Sequence, residues 1–163
     1  MDTTALHDGY RDLLDAATTL AAADHDPIPP PGEWSADQIL AHVALVNAAT
    51  ISAACSAASA AVATYDNRLA HDTWTINRVI SLAGDKEGLR NRIRLQADAM
   101  CAIASSLSER ELDTRIPTLL LSHDTLLVDD LVPLRALIDG LATTELTGHA
   151  SQLRGLLSAG TKD

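Results

Sequence analysis

From Val43 to Tyr65 the chain reads VALVNAATISAACSAASAAVATY, with no charged side chain. An uncharged run of that length belongs either in a bilayer or inside a protein. It is mostly Ala, Ser and Thr, with few strongly apolar side chains to offset the cost of placing its polar groups in hydrocarbon. A buried, closely packed helix is therefore expected, because small side chains let neighbouring helices approach. The rest of the composition agrees. Aromatic residues make up 2% and Phe is missing, so the core is built from Leu, Ile, Val and Ala, which favours helices over sheet. At 163 residues and 47% hydrophobic, the chain suits one domain over 1–163 with a single substantial core.

A net charge of −10 and a pI near 4.8 repel phosphate backbones and anionic lipid surfaces, which argues against nucleic acid and membranes as partners. The opening MDTTALHDGYRDLLD has no basic-then-apolar pattern and does not read as a signal peptide. Cys55 and Cys101 form no C-x-x-C unit; free, buried thiols in a cytoplasmic protein are expected. On a continuous helix Cys55 lies about 220° around the axis from His42, at ~100° per residue, so the two do not share a face.

Leu6, Leu13, Ala17 and Leu20 predict a first helix from about Thr3 to Ala23, ended by the proline-rich DHDPIPPPGEW. Helix two has a sharp start. Ser35 is a good N-cap, Gln38 completes an S-x-x-Q capping box, and Trp34 and Ile39 match a hydrophobic staple. This helix is expected to reach about Ala63. Residues 65–84 form a loop and a short helix ending near Gly84. Asp85 then caps helix three, from about Lys86 to Ser108, with its stripe at Leu89, Ile93, Met100, Ile103 and Leu107. In RIPTLLLSHDTLLVDDLVP two apolar runs flank His123-Asp124, which suggests an extended excursion or hairpin. Pro133 suits the first turn of helix four, which continues to about Ser158. The fold predicted is all-α: a four-helix bundle with a long crossover between helices two and three and a short extended excursion before helix four.

Helix four carries the chemistry. Its apolar stripe is Leu134, Leu137, Ile138 and Leu141, then Leu153, Leu156 and Leu157. On a regular helix that stripe passes through Glu145 and His149, pointing both inward, with Cβ atoms ~5–6 Å apart. On helix two, His42 stands at the edge of the Ile39, Val43, Val46 and Thr50 stripe. A bundle brings the two stripes together, and two imidazoles with one carboxylate are a familiar catalytic zinc set. Spacing alone leaves two readings: a hydrogen-bonded polar pair inside the bundle, or two ligands of an ion. Gly148, inside the helix, marks either close approach of a backbone or ligand, or simple helix crowding.

The segment GEWSADQILAHVALVN resembles the second-helix signature of the DinB-like superfamily, which includes the mycothiol-dependent maleylpyruvate isomerases. In that signature Trp-Ser opens a helix and a metal-ligand His follows seven residues after the Ser, here His42. ELTGHASQLRGLL is similar to the fourth-helix signature, in which two ligands four apart precede a Q-L/I pair. Many members have His at both positions; Glu145 followed by His149 resembles the mycothiol-dependent branch more closely. The resemblance implies a divalent metal, zinc first and nickel as the alternative, held by His42, Glu145 and His149. It also implies a low-molecular-weight thiol cofactor such as mycothiol, whose metal-favoured thiolate attacks a small electrophile. The maleylpyruvate isomerases carry a further C-terminal domain that contributes to their site. This chain stops at Asp163, so a simpler thiol S-transferase or detoxification role is expected.

Arg68 and Arg78 flank LAHDTWTIN in the crossover; each either binds a carboxylate of the thiol cofactor or substrate, or is an ordinary surface arginine. His71 and His123 fall in predicted loops, exposed or at the rim of the site. The rival to an enzyme is a metal-free bundle acting as a dimerisation or interaction module, with the Ala/Ser-rich face of helix two as the surface for a homodimer.

Overall fold

The computed structural model describes residues 1–23, 27–122 and 125–159. The fold is mostly helical with one small sheet. In chain order it comprises α1 (Thr4–Ala21), α2 (Ala36–Ala58), β1 (Tyr65–Asp66), a 3-10 turn (Arg68–Ala70), α3 (Thr73–Ala83), α4 (Lys86–Ser106), α5 (Glu109–Leu112), β2 (Arg115–Ser122), β3 (Thr125–Pro133), α6 (Leu134–Gly140), a π-turn (Leu141–Glu145) and α7 (Leu146–Ala159). α1 packs on α7 and α4, and α2 packs on α4, α3 and α7. The charge-free segment up to Ala58 thus belongs to an inner helix, whereas Ser59 to Val62 beyond it are exposed, contrary to the expected burial. Ala41, Ala44, Ala53, Ala54 and Ala57 are buried, so its small residues are used for packing within the chain. α2 is the one described helix long and apolar enough to cross a membrane, and 61% of its apolar window is buried in the fold.

α2 begins where the capping box places it. Ser35 Oγ accepts from the Gln38 backbone N–H, and Gln38 Oε1 accepts from the Ser35 N–H. It ends at Ala58 rather than at Ala63. Ala60 takes a left-handed φ of 54°, its N–H bonds to Ala57 O at 3.1 Å, and the Ala61 N–H bonds to Ser56 O at 2.9 Å. Those bonds form a Schellman turn, with alanine at the position glycine usually holds. The helix therefore stops without a breaking residue. Cys55 lies on the outer face of α2 and is exposed, contrary to the expected burial, while Cys101 is buried and its thiol is pushed up by burial.

The crossover contains the expected short helix, α3, ending at Gly84 with φ 85°. Asp85 caps α4 by accepting the Gly88 N–H at 2.7 Å. α4 ends at Ser106 and not Ser108, because Ser108 opens α5 with a capping box of its own. The excursion is a hairpin: β2 and β3 pair antiparallel, with an irregularity between Leu120 and Leu121. β1 adds in parallel on the other side of β2, with Tyr65 opposite Thr118. Asn67 extends that pairing through its side chain. Its Oδ1 accepts the Leu121 N–H at 2.8 Å and its Nδ2 donates to Leu121 O at 2.9 Å.

The last helix departs from regularity where the candidate residues lie. Leu134, Leu137, Ile138 and Leu141 are buried as expected, but the buried positions then become Ala142, Leu146, Ala150 and Leu153. A π-turn holds one residue more than an α-turn. The inner stripe consequently shifts by one place, and Leu146 and Ala150 take the positions that a regular helix gives to Glu145 and His149. Those two stand instead at the edge of the buried face, their side chains 30% and 16% exposed. The wide turn lies against α1. A Cβ at Gly9 would stand 3.0 Å from Ala142 O and 3.1 Å from Leu146 Cδ1, so glycine makes room for the turn.

Two stability changes follow. Ala60→Gly relieves a left-handed alanine and is expected to raise unfolding stability by about 1 kcal/mol, read by urea denaturation. Gly9→Ala overpacks the π-turn and is expected to cost about 1–3 kcal/mol in the same measurement.

Candidate metal centre

His42 lies near the start of α2, two turns beyond the Ser35 cap, and is 3% exposed. Its Nδ1 lies 2.8 Å from the Ala70 carbonyl oxygen. A carbonyl only accepts, so Nδ1 carries the proton and a neutral His42 presents a lone pair at Nε2. His149 has the same arrangement. Its Nδ1 donates to Gln152 Oε1 at 3.0 Å, which leaves the Nε2 lone pair facing inward. Glu145 Oε1 sits between them, 2.7 Å from His42 Nε2 and 3.2 Å from His149 Nε2. The three ligand atoms all lie within 4.8 Å of one another.

Three lone pairs at such distances repel unless a positive charge joins them, supplied by a proton or a cation. Burial pushes the Glu145 carboxyl up, but where a proton on Nε2 supplies that charge, hydrogen bonds from His149 and His42 outweigh burial and hold the group well below the usual carboxylate range. The carboxylate is thus ionised at neutral pH. Both imidazoles have the outer nitrogen committed to an oxygen acceptor, the usual way a protein sets tautomer and ring angle for metal ligands. Two neutral imidazoles and one carboxylate form a group able to hold a divalent ion with a coordination position left over. The set expected from the sequence, His42, Glu145 and His149, is the set that the fold brings together.

Around His42 the rings crowd. Trp34 lies 4.8 Å away between centroids, His149 4.8 Å and His71 5.1 Å. Trp34, placed by the sequence as a helix staple, is also a wall of this site. His71 is part-buried and lines the cavity above the cluster, at its rim as one of the two expectations had it. His123 lies outside the described residues.

The cavity has a volume of about 610 Å³, within the range of small-molecule sites. The cluster forms its floor, the hairpin contributes Leu120, Leu121 and Leu127, and the last helix contributes Leu137 and Leu141. Gly148 also lines it, and a Cβ there would meet nothing within 4 Å. The glycine therefore answers to neither helix crowding nor a close backbone. Tyr65, Asn67 and Ala70 join the site because β1 pairs with β2, a tertiary event that no local motif signals. Tyr65 is buried, and burial with the nearby Glu145 carboxylate pushes its phenol up to about 12.

The two arginines proposed for a carboxylate are elsewhere. Arg68 is exposed and bonds Asp66 through Nε at 3.0 Å, and Arg78 is exposed on α3. Neither lines the cavity. A short-range pairing with Asp66, two residues away, holds Arg68 on the surface.

Comparison with known proteins returned no match among curated proteins and none among solved structures. The family model of the DinB superfamily matches residues 5–147, from α1 through the π-turn that carries Glu145 to the start of α7. With His42 and Glu145 both inside the matched region, the chain belongs to the DinB superfamily.

Proposed function

We propose that this chain is a metal-dependent thiol transferase built on a four-helix bundle, with His42, Glu145 and His149 holding one divalent ion. Zinc suits the two imidazoles and one carboxylate, and nickel is the alternative. The observation that carries the reading is the convergence of three lone pairs whose outer hydrogen bonds hold both imidazoles in the ligating tautomer. A divalent ion supplies the Lewis acidity that favours the thiolate of a bound low-molecular-weight thiol, such as mycothiol. A small electrophile is the second substrate. No side chain of this chain has to act as the nucleophile.

The chain's own residues supply orientation and shelter. Ala70 O and Gln152 Oε1 hold the imidazole rings in place. The Glu145 carboxylate offsets one of the two cationic charges. Trp34 and the hairpin leucines give the cavity an apolar wall beside the cluster. Tyr65 stays protonated at neutral pH, a neutral donor beside the site.

Elemental analysis of untagged protein from metal-replete medium is expected to find about one zinc or nickel per chain, lost in Glu145→Ala. Metal-free protein that takes up none on titration would overturn the reading. Gln152→Leu frees the His149 ring and is expected to weaken metal affinity about tenfold, by competition with a chromophoric chelator. Metal-loaded protein incubated with mycothiol and a chromogenic electrophile is expected to show a metal-dependent rate. A bound metal with no such rate would point instead to a non-catalytic module.

A further inference from the structure

We infer that the cavity selects uncharged ligands and discriminates against carboxylated thiols and electrophiles. The inference rests on the metal reading above and narrows its substrate class. Among the described residues that line the cavity there is no Lys and no Arg, and the charged side chains are the carboxylates Glu33 and Glu145. The arginines near the lining in sequence stay outside it, Arg68 paired with Asp66, Arg135 with Glu109 and Asp113, and Arg154 with Asp12. The walls are Leu120, Leu121 and Leu127 on one side, Leu137 and Leu141 on the other, and Trp34 beside His42.

Charge accounting leads the same way. A divalent ion, the Glu145 carboxylate and one bound thiolate sum to zero. Among the described lining residues, none of them Lys or Arg, His71 is then the one side chain off the ion able to carry positive charge toward a carboxylate elsewhere on the ligand. Such a group would lose hydration beside the wall leucines, with neutral groups such as Tyr65 and Asn67 but no fixed Lys or Arg charge to offset the loss, which is costly for a buried charge. The net charge of −10 and Glu33 at the cavity add repulsion within a Debye length of ~8 Å. Room is not the limit. Gly140 and Gly148 both line the cavity, and a Cβ on either would meet nothing within 4 Å.

The test uses the full chain loaded with Co(II), whose visible spectrum reports ligand exchange at the ion without turnover. Two thiols of one shape are titrated, 4-methylbenzenethiol and 4-mercaptobenzoate, which differ by a methyl group against a carboxylate. The methyl compound is expected to bind at least tenfold more tightly. Leu127→Arg, a change at a side chain 59% exposed, puts a cation on the wall and is expected to narrow that ratio at least fivefold, with cobalt stoichiometry unchanged. Bound cobalt with 4-mercaptobenzoate held as tightly as its partner, or a ratio that Leu127→Arg leaves unmoved, overturns the ligand class and leaves the metal reading standing. Failure to bind cobalt overturns both.

Discussion

The hydrogen bond from His42 Nδ1 to the Ala70 carbonyl, 2.8 Å long, joins the fold to its site. It fastens the inner helix to the crossover that passes over it. It also decides which nitrogen of His42 faces the cavity. Because the acceptor is a backbone carbonyl, the choice does not depend on an adjustable side chain. The carbonyl is itself held in place by the crossover: β1 pairs with β2, Asn67 prolongs that pairing with its amide, and the 3-10 turn delivers Ala70 over α2. The small sheet matters here less for its own stability than for where it sets one oxygen.

The other half of the site depends on a defect in a helix. A regular helix would bury Glu145 and His149 against α1, where a carboxylate has no partner and a high desolvation cost. One additional residue in the turn Leu141–Glu145 moves both to the edge that meets His42 and the cavity. The cost of the wide turn is met by packing, since α1 presents Gly9 where the Ala142 carbonyl comes close. Helix irregularities of this type gather at functional sites for this reason: they re-aim side chains without changing the fold. The same shift hands the buried places to Leu146 and Ala150, both 0% exposed, so the core stays apolar where it must.

Much of this was legible in the chain. The capping box at Ser35 placed the start of α2, and with it the height of His42, because capping is settled by residues three apart. Asp85 and Gly84 marked the junction of α3 and α4 for the same local reason. The ligand set was legible through the spacing of Glu145 and His149 together with the family signature around His42. A regular helix would carry the stripe through Glu145 and His149, whereas the wide turn carries it to Leu146 and Ala150. The end of α2 was misplaced because its left-handed residue is Ala60, which carries no turn signal. Arg68 and Arg78 looked like anion binders from their place in the crossover, and only the fold showed them outside the cavity.

The sequence by itself determined the helix starts, their caps and the residue types available as ligands, since each of these depends on neighbours within about one turn. The helical part of a charge-free, alanine-rich segment lies inside, and two imidazoles and a carboxylate on two helices offered the chemistry of a metal site. Tertiary structure alone decided the tautomers, the phase of the last helix and the character of the cavity. Those follow from contacts between residues far apart in the chain: His42 with Ala70 and Glu145, Gly9 with Ala142, and Asn67 with Leu121. Local propensity has no bearing on such pairs, because their energies exist only once the helices and the hairpin have met.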